Sequence, residues 1–154
     1  MERIHHIDFH LIQFLKKIFV PGARLSLFIV FFWFGILKVL GFSPAGPLIE
    51  TLYQNTIGLG DFDTFYLLFA LFECLIGILF LIPSATRVVI PLLLIHMITT
   101  FGPLVFLPEI AWQKAFVPTL EGQYIIKNLV IIALALGVAA EISPLKKRLD
   151  IQRT

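Results

Sequence analysis

Residues 67–83 read LLFALFECLIGILFLIP, an apolar run broken by one carboxylate, Glu73, near its centre. Whether that run lies in water or in lipid decides the fold. Hydrophobic residues make up 58% of the 154-residue chain and charged residues only 14%, with mean hydropathy +0.94. Soluble domains carry roughly 25% charged residues and about 45–50% apolar ones. A soluble fold of this size has no interior large enough for so much apolar surface. Four separate stretches also approach the ~20 residues that cross a hydrocarbon core. The composition therefore predicts an integral membrane protein, with the lipid bilayer as its first partner.

The net charge of +2 gives no footing for nucleic acid, and the basic residues gather toward the chain ends. One cysteine, Cys74, excludes an intrachain disulfide, a CxxC pair and a cysteine metal cluster. Residues 1–17 contain Asp8 and three histidines without a compact apolar core, which is a poor signal peptide.

The expected fold class is all-α: a transmembrane antiparallel four-helix bundle preceded by an amphipathic interfacial helix. Ile4, Ile7, Leu11, Phe14, Leu15 and Ile18 recur at helical spacing, and His5, His6, Gln13, Lys16 and Lys17 fall elsewhere. Residues 1–22 thus suit a helix lying in the interface and ending at Pro21-Gly22. His5, His6 and His10 read as a solvated polar face rather than as metal ligands, so no metal site is expected. Residues 23–141 form the bundle, with helices expected over about 24–40, 64–82, 87–106 and 123–140, and residues 142–154 form a basic tail. Residues 47–55 suit a short surface helix in the first long loop, and Gly102-Pro103 kinks or ends the third span. The second long loop, LPEIAWQKAFVPTLEG, offers Trp112 and Phe116 as interfacial anchors.

Lysine and arginine set the orientation. Arg3, Lys16, Lys17 and Arg24 precede the first span, Arg87 sits in the tight turn after the second, and Lys146, Lys147, Arg148 and Arg153 end the sequence. The 41–63 loop has neither residue, and the loop after the third span has only Lys114. The positive-inside rule puts both termini in the cytoplasm.

Glu73 now raises a chemical question, because a charge at mid-bilayer costs about 2.5–3.5 kcal/mol on insertion scales and seeks an interior partner. Lys38, His96, Lys127 and Asn128 are the other polar groups within the spans, with Thr99 and Thr100 one turn beyond His96. At about 1.5 Å per residue, all lie at the middle or in the outer half of their helices. Gly35 and Gly77 flank Lys38 and Glu73 on the same faces, and small residues mark close helix approach. These groups are expected to meet near the outer mouth of the bundle. Each also has a plainer role: Lys38 as a snorkelling side chain, Glu73 in a packing ion pair, His96 as a core histidine, Asn128 as a helix bridge. With His96 neutral, two lysines and one carboxylate suit an anion or the developing charge on a quinone oxygen. Glu73 and His96 are the candidate proton carriers; Lys38, Thr99, Thr100, Lys127 and Asn128 are candidate ligand-binding groups.

The segment RLSLFIVFFWFGILK (24–38) resembles the opening of DoxX-type membrane proteins, with its Arg, Gly and Lys. ECLIGILFLIPSATR (73–87) is similar to that family's second helix and turn, and VVIPLLLIHM continues it. GQYIIKNLVIIALAL resembles the fourth helix of a Lys-Asn subgroup, and FWFGILK also resembles the related inner-membrane DUF417 proteins. The resemblance covers about 24–140 and implies four transmembrane helices in a bacterial inner membrane. It also implies functional positions at Arg24, Lys38, Glu73 and Arg87. Some relatives are subunits of a thiosulfate:quinone oxidoreductase and others belong to redox-stress assemblies. What the resemblance implies here is a quinone-linked redox subunit, with quinone as the cofactor. The alternative is a non-catalytic scaffold holding a membrane or periplasmic protein partner. A small transporter ranks last, for want of polar residues in the inner half.

Overall fold

The computed structural model describes residues 2–142, with side chains from Ile7 onward. The expected basic tail, after Ile142, and the side chains of His5 and His6 lie outside the described residues. The chain is mostly helical, with α1 over Glu2–Val39, α2 over Gly46–Thr56, α3 over Phe62–Leu81 and α4 over Thr86–Phe101. Short helices α5 (Pro103–Phe106) and α6 (Pro108–Ala111) precede strands β1 (Trp112–Lys114) and β2 (Val117–Pro118), and α7 spans Leu120–Ala140. Four helical segments are long and apolar enough to cross a membrane: Ile7–Val39, Phe62–Leu81, Pro83–Phe106 and Leu120–Ala140.

Local chemistry sets the helix ends. The α3 N-cap is Asp61, whose carboxylate accepts from the Thr64 N–H at 2.8 Å and the Thr64 hydroxyl at 2.7 Å. Those bonds favour the ionised form and hold the Asp61 carboxyl below the usual aspartate range. The last turn of α3 closes where Ile82 turns extended before Pro83. In α7, the Thr119 hydroxyl accepts from the Gly122 N–H and donates to the Ile110 carbonyl. The α1 terminus is a Schellman motif: Gly41, at φ 76°, donates to the Lys38 carbonyl, and Phe42 donates to that of Leu37.

Two differences from expectation stand out. The break expected at Pro21-Gly22 is absent, and α1 continues through Pro21 as one helix. A proline withholds only its own backbone donor, and the helical hydrogen bonds on either side carry the helix across it. The second long loop, read from sequence only as a polar loop with interfacial anchors, contains an antiparallel β1–β2 hairpin. Phe116 at its tip has φ 61° and is 94% exposed, whereas Trp112 is half-buried and donates its indole N–H to the Leu104 carbonyl.

The tightest packing joins α1 to α3. A methyl group at Gly35 would come within 2.6 Å of Cys74 Sγ and 2.9 Å of the Ala70 carbonyl oxygen. One at Gly77 would come within 2.7 Å of the Phe32 backbone nitrogen. Without Cβ atoms at these points the backbones approach closely, which is how helices gain dispersion energy when lipid supplies no hydrophobic force. Arg24 donates to the Phe80 carbonyl at 3.1 Å and to the Thr86 hydroxyl at 2.5 Å. Early residues of this α1 stretch thus meet late residues of α3.

One core draws on all four long helices. Ala23, Leu27 and Phe31 of α1 meet Ile76 and Phe80 of α3, Val89, Leu93 and Met97 of α4, and Ala135 and Val138 of α7. The α1 and α4 sets repeat every four residues, so each helix buries one stripe. Large apolar side chains elsewhere on the spans face outward, among them Leu25, Trp33, Leu68, Ile78, Val88, Ile98, Val130 and Leu136.

Candidate functional site

Lys38 ends the buried stripe of α1, and its side chain reaches across to α3. Its Nζ lies 2.5 Å from Glu73 Oε2, and the other carboxylate oxygen, Oε1, lies 3.1 Å from His96 Nε2 on α4. All three residues are buried. The cluster resolves the difficulty that Glu73 poses, since each charge is matched by its neighbour rather than left to hydrocarbon.

The bond to Glu73 also fixes the histidine. An ionised carboxylate only accepts hydrogen bonds, so Nε2 carries a proton and donates it. The opposite ring nitrogen, Nδ1, is buried without a hydrogen-bond partner among the described residues. Buried polar atoms of this kind are uncommon and call for an explanation. Three phenylalanines surround the ring, with centroids at 5.0 Å for Phe69, 5.7 Å for Phe31 and 6.0 Å for Phe72.

Lys38, Glu73 and His96 all line one cavity of about 1390 Å³. Its apolar wall includes Phe31 and Phe34 of α1, Phe65 and Phe69 of α3, Met97 and Ile98 of α4, and Val130 and Ile131 of α7. Leu48, Ile49, Leu52 and Tyr53 of α2 line it as well. Contacts pin α2 in place: the Tyr53 hydroxyl donates to the Leu59 carbonyl, its ring packs on Phe62 and Phe65, and Leu52 lies against Gly102. Since Phe62 begins α3 and Gly102 follows α4, α2 lies across the end of the helices at which Lys38 sits.

The other expected site residues divide. Thr99 and Thr100 line the cavity, and both hydroxyls donate to the His96 carbonyl, at 2.7 and 3.1 Å. With those protons engaged, what they offer the cavity is lone pairs. Lys127 and Asn128 also line it, but Lys127 stands apart from the Glu73 cluster, exposed, with its Nζ 4.8 Å from the Tyr124 ring centre. Arg24 is not among the cavity residues. Its guanidinium serves the α1–α3–α4 junction through Phe80 and Thr86, where desolvation is offset by two acceptors. Arg87 lies just past that junction, exposed, in the first turn of α4. Among the described residues there is no group of three or more histidine, cysteine or acidic side chains placed to hold a metal.

Glu121 escaped the sequence reading because it falls at the boundary between a loop and α7, where helical phase carries no information. It lines the cavity from the first turn of α7. With it the wall holds two lysines and two glutamates, and the surplus positive charge expected from sequence disappears. The rings of Phe31 and Phe69 were equally hidden, as two among 16 phenylalanines.

No family model, curated protein or solved structure matches the chain.

Proposed function

We propose that this chain is a DoxX-type inner-membrane protein whose cavity receives the head of a quinone. The observation that carries the proposal is His96 Nδ1, a buried polar atom without a partner on a residue that lines a mostly apolar cavity. Charge balance in the lining favours a neutral head over an anion. A quinone fits the donor set in both oxidation states: unprotonated Nδ1 accepts from a quinol hydroxyl, and protonated Nδ1 donates to a quinone carbonyl. When bound, a quinone supplies a two-electron, two-proton acceptor, with the electrons coming from a reductant such as thiosulfate, as the resemblance suggests. His96 holds or releases the proton at Nδ1, while Glu73, in contact with Nε2, stabilises the imidazolium whenever it forms. Lys38, bonded to Oε2, fixes the Glu73 carboxylate in direction. The phenylalanine rings exclude water around the transfer.

The antiparallel four-helix arrangement belongs to the same proposal, supported by the opposed register of α1 and α3 and by the tight turn between α3 and α4. With Lys and Arg gathered at the opposite end, the α2 end faces outward and both termini face the cytoplasm. Helix α1, at about 1.5 Å per residue, is longer than a hydrocarbon core of about 30 Å. Residues before Pro21 therefore leave the core and lie at the cytoplasmic interface, where Lys16 and Lys17 meet headgroups.

A second reading, the non-catalytic scaffold, draws support from the close α1–α3 packing, in which the Lys38–Glu73 pair acts as a clasp. Quinone content of protein purified from native membranes, measured with thiosulfate-dependent quinone reduction, separates the two. Bound quinone or turnover supports the redox role. Absence of both, with a constant protein partner co-purifying, supports the scaffold.

A further inference from the structure

The cavity wall has two kinds of border. At the α2 end it includes Ser43, Asn55, Thr56 and Glu121. Further down, much of its border is apolar and exposed: Phe34 of α1 is 54% exposed, Ile98 of α4 73% and Val130 of α7 70%, and all three line the cavity. Phe34 lies about 6 Å along α1 from Lys38, and Val130 about 15 Å along α7 from Leu120, at 1.5 Å per residue. Both positions fall within the depth of the hydrocarbon.

Helices α1 and α7 touch at their other ends, where Phe19 packs on Gly137 and Ala23 shares the core with Ala135 and Val138. Toward the α2 end, their facing side chains line the cavity instead. The resulting opening faces lipid tails rather than water, and α2 lies over the end through which water would otherwise enter directly.

Building on the quinone reading above, we infer that the cavity is loaded sideways from the bilayer between α1 and α7, and that its ligand carries a long apolar tail. The head reaches Glu73 and His96, and the tail lies between Phe34 and Val130 and continues into lipid. A tail needs no polar partner along this path, and Phe34 and Val130 offer none, while Lys127 lies about one turn closer to the α2 end. A neutral amphiphile already dissolved in the membrane thus reaches the site without crossing water.

A decyl-tailed benzoquinone carrying a photoactivatable diazirine on its tail tests this in lipid nanodiscs, with adducts located by mass spectrometry. The expected adducts fall on peptides containing Phe34 and Val130, are lost on adding excess untagged decyl quinone, and are lost in His96→Gln. Competable adducts on residues 48–56 instead overturn sideways loading while leaving the head site intact. Adducts that excess quinone does not displace, spread over outward positions such as Ile78 and Leu136, overturn the head site and the portal together. A Phe34→Ala, Val130→Ala pair widens the rim without adding bulk. It is expected to keep competable labelling in α1 and α7 at neighbouring positions, and a shift of that labelling to α2 counts against the portal.

Discussion

Glu73 holds Lys38 and His96 with different oxygens of one carboxylate, 2.5 Å from the ammonium and 3.1 Å from the imidazole. Three helices are thereby tied at one buried point, and the lysine's charge is neutralised before the histidine is approached. That order matters for stability as well as chemistry.

Removing one member of the ion pair strands the other. Glu73→Gln or Lys38→Met alone is expected to cost about 3–5 kcal/mol, since an unpaired buried charge remains. The double variant Lys38→Met, Glu73→Leu is expected to recover most of that loss, because an apolar pair of similar volume removes both desolvation penalties. Thermal unfolding in detergent micelles measures all three. A double variant as unstable as the singles would mean the pair stabilises the fold in its own right.

The α1–α3 approach makes its own prediction. Gly77→Ala places a methyl group within 2.7 Å of the Phe32 backbone nitrogen, and backbone cannot step aside as a side chain can. The helices must separate, at an expected cost of about 1–3 kcal/mol. Gly22→Ala, with open space around the added methyl, is the control and is expected to be neutral or stabilising. Equal melting temperatures for the two variants would contradict the close packing.

How much of this was legible in the sequence follows from what each signal measures. Apolar runs and terminators report on single helices, so four apolar spans, a short helix near 47–55 and a break or kink at Gly102-Pro103 were readable from local pattern. The pairing of Lys38 with Glu73 was partly readable as well, because glycine lay on the same face as each charge and hydrocarbon rejects isolated ions. Distance along a helix gives depth but not rotation, which is why Lys127 was grouped with Glu73 although it lies over Tyr124. Arg24 looked like a site residue by resemblance, yet its partners, Phe80 and Thr86, belong to the turn at the other end of α3. The roof formed by α2 was not legible: an amphipathic pattern says that a face is buried and not what it covers.

Arg24 offers a clean separation of fold from site. Arg24→Ala removes two hydrogen bonds from a charged donor and is expected to cost about 1–3 kcal/mol, with quinone binding unchanged at temperatures where the variant is folded. Arg24→Lys, lacking the fork that reaches Phe80 and Thr86 together, is expected to recover only part of that stability. Melting curves beside binding titrations check both. Weakened binding in a fully folded Arg24→Ala protein would bring Arg24 back into the site.

Acid sensitivity is expected at the start of α3. The Asp61 carboxyl is held below its ordinary value by the Thr64 hydroxyl and N–H, so the folded state binds that proton less readily than the unfolded state. Its contribution to stability is fully present above the unfolded pKa of about 3.9 and is lost as pH falls through the lower folded value. The stability gap between wild type and Asp61→Ala should therefore be flat from neutral pH to about 5 and close only below about 4. A gap that closes between pH 7 and 5 would rule Asp61 out as its source.

The most direct measurement concerns the free nitrogen of His96. A glutamine amide substitutes for Nε2 but offers nothing at Nδ1, so His96→Gln keeps the Glu73 contact and deletes only the proposed head contact. Decyl quinone binding to wild type and to His96→Gln, each with its melting curve, isolates that atom. The expected result is a melting temperature close to wild type with affinity weakened at least about tenfold, equivalent to about 1.4 kcal/mol. Equal affinity for the two proteins, or a wild type that binds no quinone, would contradict the assignment of this cavity as a quinone site.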